Sequence, residues 1–289
     1  MTNNKDIKNI TNISNNTDSN QPTNSILKSW VTLGSDPEFF CFDVDKKEFI
    51  ALCDLIPGTK KEPAPIEVQG CLQQVDNVSV EFCVPPSSTL DGVYDSIISC
   101  LKMTEIYLKG INPAYTLIAK SSAHFNSDQL CSPISTTFGC DPANTIYGDP
   151  LIPNLSVAKN LRTNGFHIHF GFDDKLNEEQ IKHFILLCDL FLGLPSYIID
   201  EDTERRKLYG LLGEYRIQPW GIEYRSLGGG MFHHKAHIQK GLDKIKKIIE
   251  NNQTELYYNT FYTEIQNIYN TKISQSLAKS LINKTYIIC

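Results

Sequence analysis

Gly34-Ser35-Asp36-Pro37-Glu38-Phe39-Phe40 is the stretch on which the fold turns. Two carboxylates stand two residues apart in a segment that otherwise reads as a buried β-strand. Positions i and i+2 of a strand share a face, so Asp36 and Glu38 are expected to point the same way. Pro37 cannot donate to a ladder, which suits a strand edge or start, while Phe39, Phe40 and Phe42 supply apolar burial. Two like charges on one face call for a cation.

Three later stretches repeat the device of paired polar side chains on one strand face. They are Asp76-Asn77 to Glu81-Phe82, His167-Ile168-His169, and Glu223-Tyr224-Arg225. Gln73 to Val84 alternates apolar and polar residues and reads as a single strand, with Val78, Val80 and Phe82 on one side and Asn77, Ser79 and Glu81 on the other. Gly165 to Phe172 reads as a strand with its histidines on one face. Glu214-Tyr215-Arg216-Ile217 and Gly221 to Arg225 flank Pro219-Trp220 and read as a hairpin. Ala114 to Lys120 is a further strand. Helical spacing appears in Val93 to Gly110, in the almost wholly apolar run after Asn177, and from His237 onward. The long stretch from Ser121 to Lys159, with Phe138-Gly139-Cys140-Asp141-Pro142, reads as irregular, and such loops are often functional. The class is α+β: a sheet that gathers four polar edges, backed by helices.

The 289 residues, 41% of them hydrophobic, suffice for a sizeable core. A net charge of −6 gives no general affinity for nucleic acid or anionic membrane and is compatible with a cation-binding site. Nine cysteines without a Cys-x-x-Cys pair and without a signal peptide read as reduced thiols in a cytoplasmic setting. No apolar run reads as a membrane span. Residues 1–29 are rich in Asn, Thr, Ser and Asp and are expected to form a disordered polar tail.

Oxygen ligands outnumber nitrogen ones and stand beside arginines. Hard carboxylates suit Mg2+ or Mn2+, and arginines supply planar donors for phosphoryl oxygens. The residues therefore point to metal-assisted phosphoryl chemistry without a P-loop, since no Gly-x-x-x-x-Gly-Lys-[Ser/Thr] occurs. Each piece alone has a plainer reading. His167 and His169 also fit hydrogen-bonded core residues, Glu223 with Arg225 an ordinary charge ladder worth tenths of a kcal/mol, and Arg205-Arg206 a solvated loop.

Five motifs, in order, resemble those of the phage-type COOH·NH2 ligases (type 2), a glutamine-synthetase-like branch of the amidoligases. They are Gly34 to Phe39, Asp76-Asn77 through Glu81-Phe82, Leu161-Arg162 through His169, Arg205-Arg206 through Tyr209-Gly210, and Gly221 to Arg225. The resemblance covers about residues 30–232 and implies an antiparallel sheet curved into a partial barrel, with ATP and divalent cations on its concave face. In such enzymes ATP phosphorylates a carboxylate and an amine attacks the acyl phosphate. The resemblance implies metal held by Asp36, Glu38, Glu81, Glu223 and His167, with Asp76 nearby. It also implies contacts to ATP from His167, His169, Arg162 and Arg216, and catalytic roles for Arg225, Glu223, Arg205 and Arg206. The family commonly has a glycine where Phe166 stands.

The expected organisation is a tail over 1–29, a catalytic domain over 30–232 and a helical C-terminal extension over 233–289. Expected partners are small-molecule or peptide carboxylates and amines, with no nucleic acid and no membrane, in a cytoplasmic setting, that of a host if the protein is viral. Two other readings stay open: a metal-dependent hydrolase or oxygenase using His167, His169 and Glu223, and a non-catalytic interaction module.

Overall fold

The computed structural model describes residues 26–136, 143–149, 159–200, 202–271 and 275–288. Residues 1–25 of the expected tail, the Phe138 to Pro142 stretch and Glu201 lie outside the described residues. Leu27, placed in the tail by its polar surroundings, is buried in the main core.

The chain runs β1 (Thr32–Ser35), β2 (Glu38–Asp43), β3 (Glu48–Ile50), β4 (Ala64–Pro65), β5 (Leu72–Asp76), β6 (Ser79–Cys83), α1 (Leu90–Ile111), β7 (Tyr115–Ile118), β8 (Ser122–His124), α2 (Pro133–Thr136), β9 (Asn144–Thr145), β10 (Leu161–Thr163), β11 (Ile168–Gly171), α3 (Glu178–Cys188), α4 (Leu194–Ile199), β12 (Glu214–Gln218), β13 (Gly221–Tyr224), α5 (Lys235–Glu250), α6 (Thr254–Asn270) and α7 (Gln275–Ile288). One antiparallel sheet has the order β1-β11-β13-β12-β9. A second has the order β3-β2-β6-β5-β4, with β7 also paired to β2, and β8 pairs β10 in a short ribbon. One sheet curls into a half-barrel, and the class is α+β as expected.

The first correction concerns the opening stretch. Asp36 and Glu38 do not share a strand face, because β1 ends at Ser35 and β2 starts at Glu38. Pro37 has no N–H to continue the first ladder, and its carbonyl accepts from Phe82 N at 3.1 Å in the second sheet. The chain therefore changes sheets between the two carboxylates and sends one to each.

The second correction is that Gln73 to Val84 is a hairpin, not one strand. β5 and β6 pair with Gln74 opposite Glu81 and Asp76 opposite Ser79. Asn77 turns the chain at φ 55°, a region its short polar side chain tolerates. The irregular stretch after Ser121 likewise contains β8, α2 and β9, elements too short to leave a periodic signal.

Helices cover the back of the first sheet. Thr89 caps α1 through Gly92 N at 3.2 Å, and Asn177 and Gln180 form a reciprocal box at the start of α3. Phe184 of α3 packs edge-on against Phe170 of β11 at 4.8 Å, and Trp30 packs on the same ring at 5.1 Å. α3 continues through a π-helical turn, Asp189–Gly193, into α4. Residues Glu178–Ile199 are long and apolar enough to cross a membrane, but 78% of their most apolar stretch is buried inside the fold. Ile238, Leu242, Phe261, Ile265 and Leu281 from α5, α6 and α7 belong to the same apolar cluster as the sheet. The C-terminal helices thus share the core of the first sheet.

The hairpin generates a stability prediction. Asn77→Val forces a β-branched residue to positive φ and should cost about 1–2 kcal/mol, whereas Asn77→Gly should cost clearly less. Equal losses in denaturant unfolding would show that the turn conformation is not what Asn77 supplies.

Candidate active site at the seam of two sheets

Register aligns the polar residues on one face of the first sheet. Gly34 pairs His169, His169 pairs Glu223, and Glu223 pairs Arg216, so four strands contribute one transverse row. A Cβ at Gly34 would meet the His169 side chain at 3.4 Å, an ordinary contact distance. Along β13 the alternation sends Glu223 to this face and Tyr224 to the back. The Tyr224 hydroxyl donates to Asp189 at 2.7 Å, and the Tyr147 hydroxyl donates to the same carboxylate at 2.6 Å.

Two groups of ligand-type side chains result, each with its donor atoms within 4.8 Å of one another: Asp36, His167 and Glu223 in one, and Glu38, Asp76 and Glu81 in the other. In the first, Asp36 Oδ1 lies 3.0 Å from His167 Nδ1 and 3.2 Å from His169 Nε2. All three atoms are buried, and none has a partner in hydrogen-bonding geometry. Buried donor atoms that converge without satisfying one another fit a cation between them. Glu223 is ion-paired to Arg225, lies 3.4 Å from Arg216 Nη1 and accepts from Gln218 Nε2 at 2.9 Å. It is 1% exposed and Arg225 5%, so the pair is no surface ladder worth tenths of a kcal/mol.

In the second group Glu38 on β2 is opposite Glu81 on β6. Glu38 accepts from Gly165 N at 2.8 Å, Glu81 accepts from Gln74 Nε2 at 2.8 Å, and Asp76 meets Lys60 Nζ at 2.8 Å.

The two groups differ in charge. Burial, the Asp76 charge and, less strongly, Asp36 push Glu38 up to about 8 against the Gly165 N–H. Burial, Asp36, Glu38 and Asp76 hold Glu81 well above the carboxylate range. Asp36 goes the other way: burial would raise it, but His167 and His169 outweigh that and hold it well below its ordinary value. Glu223 is also lowered, since Arg225 and His167 outweigh burial and Asp36. Burial and Arg225 lower His167, the form in which an imidazole binds metal, while Asp36 overcomes burial and raises His169.

The remaining expected site residues divide. Arg205 is buried and reaches the Arg225 carbonyl at 3.4 Å. Arg216 is at the edge of the row. Arg206 and Arg162 are not brought to either group. Arg206 stacks over the Tyr197 ring at 3.9 Å and donates to the carbonyls of Ser196 and Asp202. Arg162 donates to the carbonyls of Ser135 and Leu161. Both guanidiniums tie backbone together, a role for which an arginine in sequence gives no separate signal. Phe166 points away from the site into an aromatic cluster with Tyr94 and Phe232, so its bulk does not obstruct the polar face.

Sequence reasoning missed Gln74, Gln218 and Glu214. Recognition of Asp76-Asn77 as a turn would have put Gln74 opposite Glu81. Gln218 and Glu214 follow from the alternation that marks Arg216. Trp220, at the hairpin tip, sets its ring 4.9 Å from His169.

Residues 158–284 match the family described as phage phiEco32-like COOH·NH2 ligase, type 2. This is the family that the motifs resemble, and its description supports ligase chemistry. The matched span holds His167, His169, Arg205, Arg216, Glu223 and Arg225 and runs on through α5 and α6 into α7. It leaves out β1, β2, β5 and β6, so Asp36, Glu38, Asp76 and Glu81 stand on geometry and the motif resemblance. No curated protein matches the chain.

The carboxylate group predicts a pH-dependent metal effect. A folded-state value of about 8 for Glu38, above its ordinary 4.5, means that the folded chain keeps a proton that the unfolded chain has lost between those limits. Metal-free stability should then fall as pH rises through that window, and cation binding, which displaces the proton, should tighten. Melting with Mn2+ against EDTA should show a larger Tm gain at pH 8 than at pH 6. No gain at either pH would remove the acidic group as a metal site.

Proposed function

We propose that the chain is an ATP-dependent carboxylate–amine ligase that forms an amide through an acyl phosphate. The observation that carries this reading is the row in which the converging metal-type donors Asp36 and His167 adjoin the buried Glu223–Arg225 pair on one sheet face, with His169 beside Asp36. The family match over residues 158–284 supports it.

Mg2+ or Mn2+, held by Asp36, His167 and Glu223 and by Glu38, Asp76 and Glu81, would neutralise phosphate charge and orient the γ-phosphoryl group. The chain's own residues do the rest. Arg225 and Arg205 present guanidinium donors where charge builds on the transferring phosphoryl group. Arg216 adds positive charge along the same row, where with His169 it would bind nucleotide phosphate. Gln218 and Gln74 hold the carboxylates of Glu223 and Glu81 in place. In the first half-reaction the acid oxygen forms a bond to the γ-phosphorus as the bond to ADP breaks. In the second, the amine nitrogen bonds to the acyl carbon as phosphate leaves.

A second reading keeps one observation on its side. Two histidines and Asp36 around one point also suit a hydrolase or oxygenase metal. Zinc or iron retained near one equivalent through purification would favour it, whereas a requirement for Mg2+ only with ATP favours the ligase. The direct experiment is a screen of amino acids and small acids with ATP and hydroxylamine for hydroxamate. No product and no acid-dependent ADP release would sink the ligase reading.

Two substitutions separate mechanism from fold. Arg225→Lys keeps the charge but loses the planar fork, and acyl-phosphate formation should fall by about 100-fold or more with ATP still bound. Wild-type ADP release from that variant would remove Arg225 from the mechanism. Glu223→Gln leaves the Arg225 charge buried without its carboxylate and should cost about 3 kcal/mol of stability as well as turnover, so its activity is read beside its Tm.

A further inference from the structure

Amide formation requires a neutral amine, and a primary amine reaches the enzyme as its ammonium ion. Some group must take that proton. Asp36 and Glu223 are engaged with histidines and arginines, and Glu38, Asp76 and Glu81 form the all-carboxylate group. One carboxylate on the same face is used by none of these. Glu214 opens β12, two residues before Arg216, so its side chain lies on the Glu223 side of the sheet. Its carbonyl accepts from Arg225 N at 3.0 Å, which puts it directly across the strand pair from the phosphoryl-facing arginine.

The surroundings of Glu214 suit a proton acceptor. Oε2 accepts from Gly210 N at 2.9 Å, and the Leu211 N–H is also turned to the carboxylate. A carboxylate offers about four lone-pair sites, so two backbone donors leave it acceptor capacity. Its hydrogen bonds come from backbone N–H groups, whereas Glu223 is ion-paired to arginines. The residue is half-buried. Burial raises its pKa against Arg205, the two backbone donors and Arg225, with Tyr197 and Asp189 lying behind. That brings the carboxylate nearer the operating pH, where a general base is most effective.

We propose that Glu214 is the general base of the second half-reaction and the carboxylate that receives the substrate ammonium group. The inference rests on the ligase reading. As the amine nitrogen bonds to the acyl carbon, the C–O bond to phosphate breaks. Before that attack Glu214 takes one proton from the substrate ammonium group and passes it to water, and the second N–H proton leaves with the phosphate.

The test uses two amines that differ in protonation: hydroxylamine, largely neutral at pH 7.5, and ammonium chloride, almost wholly protonated. With ATP, Mg2+ and the acid that gives most hydroxamate, the rate ratio of ammonia to hydroxylamine should fall about 100-fold in Glu214→Gln. The ammonia rate of that variant should then rise with pH in parallel with free ammonia. Glu214→Asp, which keeps a carboxylate, should recover part of the ratio and guards against a folding defect in the glutamine variant, checked by Tm. An unchanged ratio, whether both rates survive or both fall together, overturns the base assignment and leaves Glu214 as a support of the Gly210–Leu211 turn. Wild-type enzyme that makes no hydroxamate and shows no ammonia-dependent phosphate release overturns the ligase reading itself, and this inference with it.

Discussion

Like-charge repulsion at the seam between the two sheets is the constraint to which the rest of the site answers. Two carboxylates 4 Å apart repel by about 4 kcal/mol at the effective dielectric of a protein surface, and five acids meet here. The fold offsets this unevenly. Asp36 is met by two imidazoles, and Glu223 by Arg225, Arg216 and Gln218. Among the described residues Glu38 and Glu81 accept from a backbone N–H and a glutamine amide, and their pKa values rise with burial and the neighbouring acids. The first group carries its own counter-charge, whereas the second resolves its repulsion by taking protons or a cation.

Such a site needs a frame that does not relax. Each strand that supplies a polar residue to the row also supplies its neighbour to the opposite face, where packing fixes it. Phe170 beside His169 is pinned by Phe184 and Trp30. Tyr224 between Glu223 and Arg225 is held through its hydroxyl by Asp189 in the π-helical turn, where burial raises that carboxyl to about 7 despite three donors. A π turn inserts a residue into a helix at some cost, and here it aims a buried acid at two tyrosines and the Gly213 N–H.

Much of this was legible in the sequence because strand alternation is a local property. His167 to Phe170 and Glu223 to Arg225 announce a polar and an apolar face without knowledge of their partners, and the hairpin around Pro219-Trp220 follows from the same pattern. What was not legible depends on where the chain turns or changes sheets. Asp36 and Glu38 obey the i, i+2 rule only while one ladder continues, and Pro37 ends it. Gln73 to Val84 keeps its alternation through the turn, so periodicity alone cannot tell a hairpin from a long strand, and only the tolerance of Asn77 for positive φ marks the break. Arginines are least legible of all. Arg205 and Arg206 are adjacent, yet one lies beside Arg225 and the other clamps the end of α4, because neighbouring residues in a short helical turn face different directions.

The uneven charge of the two groups also orders events at the site. Under the ligase proposal phosphate oxygens would be drawn to the side where Arg225, Arg205 and Arg216 supply positive charge. The Glu38–Asp76–Glu81 side, where protons or a cation offset the repulsion among the carboxylates, offers them one cationic side chain among the described residues, Lys60 at Asp76. On the same proposal a nucleotide would find half of its cradle in the folded chain, and the other half would come into being with the metal. The need for carboxylates at both halves, with cationic side chains at only one, makes Pro37 more than a strand boundary: it divides two neighbouring acids between environments of opposite character.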